Sequence, residues 1–114
     1  MHELSLCDDL LNQVIAIAQQ NNAQSIESVT VTIGALAGIE PILLENAFSI
    51  IKINTVAEFA QLIIRKVPVT VLCLQCGAKS EVLLNHLLCH VCKSHDTSLI
   101  SGDELVLASV AFFV

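Results

Sequence analysis

Between residues 4 and 20, apolar side chains recur at three- and four-residue intervals. Cys7, Leu10, Leu11, Val14, Ile17 and Ala18 share one face, which predicts an amphipathic helix. Asp8 and Asp9 lie in its early turns, where carboxylates complement the helix dipole. The run Gln19-Gln20-Asn21-Asn22 ends the periodicity. The period then falls to two: Val29, Val31 and Ile33 alternate with Thr30 and Thr32, so residues 26–33 read as a strand with one buried face. Gly34 and Gly38 bracket a turn, and Pro41 suits the first position of a helix. Leu44, Ala47, Phe48 and Ile51 carry that second amphipathic helix to about Ile53. Residues 54–58 read as a connection with Glu58 solvated. Leu62, Ile63, Ile64, Val67, Val69 and Val71 form a strand region that runs into Cys73, with Pro68 requiring an edge position or a bulge. Short strands are expected at residues 82–84 and 98–100, and a final strand from Glu104 to about Phe113, after a turn at Gly102-Asp103. If that last strand returns to the first sheet, everything around the intervening cysteines is an insertion between two strands.

Those cysteines form two doublets, Cys73-Leu-Gln-Cys76 and Cys89-His-Val-Cys92, separated by twelve residues. A two-residue spacer lets both sulfurs of a doublet turn toward one point, and four sulfurs around one ion are the signature of structural zinc. The gap is shorter than the roughly 15–20 residues usual for paired doublets, but a tight hairpin spans it. Gly77, directly after Cys76, provides the positive φ such a turn asks for. Two disulfides and a dithiol redox pair are the competing readings. The first needs an oxidising compartment, and the second places a single doublet at a helix start and needs no other. His90 and His95 lie close to the doublets in sequence, at the edge of the expected site. Cys7 sits on the apolar stripe and reads as a small core residue.

Composition narrows the choice. Apolar residues make up 54% of the 114 and charged residues 14%, so the chain has a core to bury. The longest apolar stretch, residues 105–114, is too short for a bilayer, which needs about 20 residues. Glu3, Asp8 and Asp9 interrupt any signal-like run; the expected location is the cytoplasm, with no membrane attachment. Net charge is −6 with five Lys+Arg, which argues against a nucleic-acid partner, since phosphate backbones need cationic contacts. No nucleophile–base pair or phosphate-cradling glycine loop stands out, and no enzyme activity is expected.

The opening Met1-His2-Glu3 places an imidazole beside the terminal amine. That amine, the adjacent amides and the His2 ring can reach one ion, and nitrogen-rich square-planar sites suit Ni(II) or Cu(II). Taken alone, this is a weak signal, and His2 reads as an ordinary solvated side chain. Likewise, Glu40 beside Pro41 reads as a carboxylate favouring the dipole of the second helix.

Met1-His2-Glu3-Leu4-Ser5, the stretch Ile33-Gly34-Ala35-Leu36-Ala37-Gly38-Ile39-Glu40, Thr55-Val56-Ala57-Glu58, the two doublets and Gly102-Asp103-Glu104-Leu105 occur here in one order. The combination resembles the HypA/HybF family of hydrogenase nickel-incorporation proteins over nearly the whole chain. The resemblance implies an α+β architecture: a small sheet with two helices, plus an inserted zinc-ribbon-like domain. Residues 1–69 with 104–114 would form the nickel-binding domain and residues 70–103 the zinc-binding domain. It also implies a transferable Ni(II) held by His2 and by backbone nitrogens of Met1, His2 and Glu3, with Glu3 and Glu40 as nearby acidic positions. Structural Zn(II) would sit on Cys73, Cys76, Cys89 and Cys92. The implied partners are a HypB-type nickel GTPase and the NiFe-hydrogenase large subunit, with urease maturation as another client.

This chain departs from the family pattern in several places. Cys89-His90-Val91-Cys92-Lys93 stands where C-P-x-C-G is usual, Asn54 and Phe59 replace common glycines, and the apolar end Ala111-Phe112-Phe113-Val114 replaces a more acidic tail. That end is compatible with a monomer and with a strand-exchanged homodimer. The alternative function is a zinc-ribbon interaction scaffold without a transferable metal.

Overall fold

The computed structural model describes residues 2–83 and 87–113, with His2 described by its backbone alone. Two helices and six strands follow in the order α1 (His2–Gln20), β1 (Ile26–Gly34), α2 (Pro41–Ile51), β2 (Gln61–Val67), β3 (Val69–Cys73), β4 (Lys79–Val82), β5 (Thr97–Ser101) and β6 (Leu105–Phe112). The strands make two three-stranded sheets, ordered β2-β1-β6 and β4-β3-β5. This is the α+β arrangement expected from the sequence, with the final strand returning to β1 across the chain that carries the cysteines.

Helix α1 starts two residues earlier than its apolar stripe suggests. Cys7, Leu10, Leu11, Val14 and Ala18 are buried as a line along it. It closes with Asn22 at φ 53°, while the Ala23 amide donates to the Ala18 carbonyl at 2.9 Å and the Asn22 amide to the Gln19 carbonyl at 3.2 Å. That pair of bonds satisfies carbonyls the helix end would leave open, with asparagine tolerating the left-handed position. In β1, Val29, Val31 and Ile33 are buried on the expected face; Ile26, at an odd offset from them, is buried as well. Helix α2 begins with Pro41 after an extended Glu40 that makes no side-chain cap. It ends at Ile51, two residues before the expected limit, and buries Leu44 and Phe48. Its last turn is fastened by Lys52, whose Nζ donates to the Ala60 carbonyl at 2.9 Å and lies 5.7 Å from the Phe48 ring centroid.

The run from Leu62 to Cys73, expected as one strand region, is two strands in different sheets. Pro68 divides them: it has no N–H to donate, so the ladder stops there and restarts at Val69. Strand β3 is the middle of the second sheet, antiparallel to β4 with Val71 opposite Ser80 and antiparallel to β5 with a bulge between Thr70 and Val71. The strand expected at residues 82–84 instead occupies Lys79–Val82, because pairing with β3 begins directly beyond the first cysteine turn. Leu84 lies outside the described residues.

By contact density the chain divides into two units. One contains Met1–Val31, Ile39–Arg65 and Val106–Val114; the other contains Thr32–Gly38 and Lys66–Leu105. The first holds the helix-packed core. In the second, the buried apolar cluster is Val69, Val71 and Val82, while Leu74, Leu83, Leu87, Val91, Leu99 and Ile100 are exposed.

Candidate metal centre

Each doublet closes a turn of the same form. After Cys76 the chain reverses at Gly77, φ 76°, and after Cys92 at Lys93, φ 64°. The Gly77 amide donates to the Cys73 carbonyl and the Lys93 amide to the Cys89 carbonyl, both at 3.0 Å. The first cysteine of each doublet is then anchored from behind, Cys73 N–H to the Ala78 carbonyl at 2.9 Å and Cys89 N–H to the Ser94 carbonyl at 3.0 Å. Inside each turn, two amides point at the first sulfur. Gln75 and Cys76 donate to Cys73 Sγ at 3.4 Å; Val91 and Cys92 donate to Cys89 Sγ at 3.3 and 3.4 Å. The second doublet thus keeps the turn of the first although its glycine position holds a lysine. Asn54, at another glycine position of the family pattern, also has positive φ, 64°.

The left-handed backbone costs a non-glycine residue about 1–2 kcal/mol, part of which glycine returns as unfolded-chain entropy. Lys93→Gly is therefore expected to stabilise the metal-loaded protein by about 1 kcal/mol, raising its Tm by roughly 4 °C in calorimetry. An unchanged Tm would show that Lys93 makes compensating contacts.

Cys73 Sγ lies 3.4 Å from Cys92 Sγ and Cys76 Sγ 3.6 Å from Cys89 Sγ. All four sulfurs lie within 4.8 Å of one another. A tetrahedral ion with metal–sulfur bonds of about 2.3 Å requires sulfurs about 3.8 Å apart, so the donor set fits a single zinc-like ion. Cys73 and Cys89 are buried; Cys76 and Cys92 are exposed. Among the described residues, these cysteines are the one His/Cys/Asp/Glu group gathered closely enough to hold a metal. His90 and His95 are exposed and outside that group.

The thiols are not equivalent. The Cys92 amide, donating to Cys89 Sγ, holds that thiol down to about 6 against the opposing effect of burial, with help from the Val91 amide and the neighbouring thiols. Cys73 is lowered chiefly by the Cys76 amide, again against burial. Cys92 receives a lowering contribution from the Ser94 backbone, but the Cys73 contact, burial and the other two thiols push it up to about 12. Cys76 is raised too, Cys89 and burial outweighing the Ala78 backbone. Cys73 and Cys89 are therefore the sulfurs that give up protons more readily, and Cys76 and Cys92 the ones that hold them. Metal loading should release protons, and apparent affinity should fall as pH falls, because protons and metal compete for the same thiolates. Calorimetry in buffers of different ionisation enthalpy measures this; an affinity independent of pH would contradict it.

One contributor is absent from the sequence reading. Ser80 is a buried polar residue, and its Oγ accepts the His90 amide at 3.2 Å, fixing the second cysteine turn to β4. The alternation Ser80-Glu81-Val82, with Ser80 and Val82 on one face, carried that signal. At the rim, the Gln75 side-chain amide donates to the Asp96 carboxylate at 3.2 Å, and the Leu74 amide to the Asp96 carbonyl at 2.8 Å. Cys7 is the expected core residue: fully buried, its thiol pushed up to about 11 by burial, with Asp8 adding to the effect.

The terminal residues are less fully described. Met1 and the His2 side chain lie outside the described residues. Glu3 is half-buried in the first turn of α1, and Glu40 is exposed at the start of α2.

A family model described as hydrogenase/urease nickel incorporation, metallochaperone, HypA matches residues 1–112. The chain belongs to the HypA family. Among HypA relatives, the hydrogenase maturation factor HypA of Aquifex aeolicus is 43% identical over 110 residues, covering 96% of each chain. That of Nitrosospira multiformis is 42% identical over the same share. A solution structure of a HypA protein superposes with TM-score 0.78 at 28% identity, covering 99% of this chain and 97% of the other. The solution structure of the Ni metallochaperone HypA from Helicobacter pylori superposes with TM-score 0.71 at 27% identity, covering 96% of both. Membership of the HypA family identifies a nickel metallochaperone in hydrogenase maturation, and the four-cysteine cluster fits zinc binding. None of the helices described here is long and apolar enough to cross a membrane.

Proposed function

We propose that the chain binds Ni(II) at its N-terminus and delivers it to the NiFe-hydrogenase large subunit, with urease as a second client. The observation that carries this reading is the family match, which runs from residue 1 to residue 112 and so takes in Met1-His2-Glu3. Helix α1 beginning at His2 supports it physically. The first amides of a helix have no intrahelical acceptor, so they can be given to a metal without breaking a helical bond. The ligands we assign to nickel are the His2 imidazole and the backbone nitrogens of Met1, His2 and Glu3, with Glu3 and Glu40 as nearby carboxylates. Cys73, Cys76, Cys89 and Cys92 hold a permanent structural Zn(II).

In this reading, nickel binding belongs to residues 1–69 with 104–114 and zinc binding to residues 70–103. A HypB-type nickel GTPase supplies or receives the metal. The protein works in the cytoplasm, without catalysing a reaction of its own, as a monomer or homodimer. Copper outcompetes nickel at such nitrogens, so selectivity comes from docked partners.

His2→Ala, or one residue added before Met1, should abolish stoichiometric Ni(II) binding in calorimetry and leave the zinc content unchanged. Normal nickel affinity in either variant would eliminate the terminal site. One bound zinc and no second metal in the unmodified protein would favour the scaffold reading instead.

A further inference from the structure

Helix α2 is apolar on the side that should be polar. A surface helix normally turns charged and polar residues outward. Here Leu44 and Phe48 fill the inner face, yet Ile42 is 67% and Ile50 68% exposed, with Leu43 and Ile53 also exposed. At 100° per residue, Ile42, Leu43, Asn46 and Ile50 fall on the face opposite Leu44 and Phe48. Ile53 follows just past the helix end, and Phe59 is 76% exposed shortly after it. Isolated exposed apolar residues are ordinary; a row along one helix face marks a contact surface.

The surrounding charge indicates what covers that surface. The unit containing Met1–Val31, Ile39–Arg65 and Val106–Val114 has seven carboxylates (Glu3, Asp8, Asp9, Glu27, Glu40, Glu45 and Glu58) against two basic residues, Lys52 and Arg65. Lys52, the basic residue of α2's own end, is turned inward onto the Ala60 carbonyl and over Phe48. Glu40 and Glu45 are exposed beside the apolar row. A second copy of a chain of net charge −6, or an anionic lipid surface, would meet like charge there.

We propose that the outer face of α2 docks a basic amphipathic helix of a partner protein. That helix places apolar side chains at helical spacing over Ile42, Leu43 and Ile50, and Lys or Arg toward Glu40 and Glu45. Glu40 is shared with the carboxylates assigned to the nickel site; Ile42, Leu43, Glu45 and Ile50 are not. The isoleucine variant can therefore fail or succeed independently of nickel.

The test uses zinc-loaded, isotope-labelled protein and a synthetic peptide with leucine at i, i+3, i+4 and i+7 and lysine elsewhere. Saturable amide shifts should concentrate in residues 40–53. Ile42→Ser/Ile50→Ser, folded by circular dichroism, should weaken binding at least tenfold. Glu40→Gln/Glu45→Gln should weaken it less and flatten its salt dependence. The same peptide with glutamate for lysine should not bind. Shifts spread over the acidic surface, unchanged affinity in the isoleucine variant, or equal binding of the glutamate peptide would each overturn the proposal. So would sedimentation showing a dimer that the isoleucine variant dissociates, since the face would then belong to a second copy.

Discussion

Replacing Cys89 with serine, or stripping the metal with a chelator, is expected to melt the unit around the cysteines while the helical unit stays folded. The buried apolar cluster of that unit is three valines, Val69, Val71 and Val82, each worth about 1.5–3 kcal/mol of burial. A structural zinc contributes on the order of 10–16 kcal/mol in small modules, so the metal decides whether the unit folds. The backbone bonds among the two turns and β3, β4 and β5 join segments well apart in sequence, so they depend on the turns being held. The unit containing α1 and α2 instead buries Leu10, Leu11, Val14, Leu44 and Phe48 among others, a core of apolar side chains. Hydrogen exchange read residue by residue should show protection collapsing in residues 69–101 and persisting in α1 and α2. Equal protection with and without chelator would refute the division. Thiol titration runs in parallel: the doublet sulfurs should react freely only after chelation, and free reaction beforehand would favour redox chemistry.

The second large effect is expected at Gly34. A Cβ built there would sit 2.1 Å from the Gly102 carbonyl carbon and 2.2 Å from its oxygen. These are backbone atoms with little room to yield, because Gly102 is itself pinned at φ 109° and its own side-chain position lies 2.8 Å from the Pro68 carbonyl oxygen and the Val69 Cα. The strands are stitched at this point: the Leu36 amide donates to the Gly102 carbonyl at 2.7 Å, the Gly34 amide to the Glu104 carbonyl at 3.0 Å and the Ala35 amide to the Val67 carbonyl at 3.0 Å. Gly34→Ala must part those bonds or strain them, at a cost of about 3 kcal/mol or more. Gly38→Ala is the control. Gly38 has φ 71° and nothing near its Cβ position, so alanine there meets only the backbone penalty of about 1–2 kcal/mol. Urea unfolding of the two variants separates the cases; equal midpoints would mean that the chain at Gly102 gives way.

Much of this was legible in the residue pattern. The stripe of α1, the alternation of β1 and the spacing of the doublets each determine a local geometry, and local geometry is what a sequence displays. The departures have physical causes that act at longer range. The run through Val67 and Val69 looked continuous because its apolar character does not change at Pro68; the break comes from a missing donor and from two partner sheets competing for the strand. The strand at Lys79–Val82 was placed late because register with β3, rather than apolar content, sets its start. Ser80 is not legible as a buried group because a single serine in a short strand reads as solvated until its partner, the His90 amide, is brought to it. The closeness of Gly34 and Gly102 could be sensed only as glycine at each place, since nothing in the chain says that two turns so far apart in sequence will touch.

The two outer sulfurs also set how the site ages. Cys73 and Cys89 are buried and each accepts two amides, while Cys76 and Cys92, one from each turn, are exposed residues. A peroxide arriving from water would meet those two first. Oxidation would then begin at one corner of the cage, and a thiol reductant could reverse it while it stands at the sulfenic acid or disulfide stage.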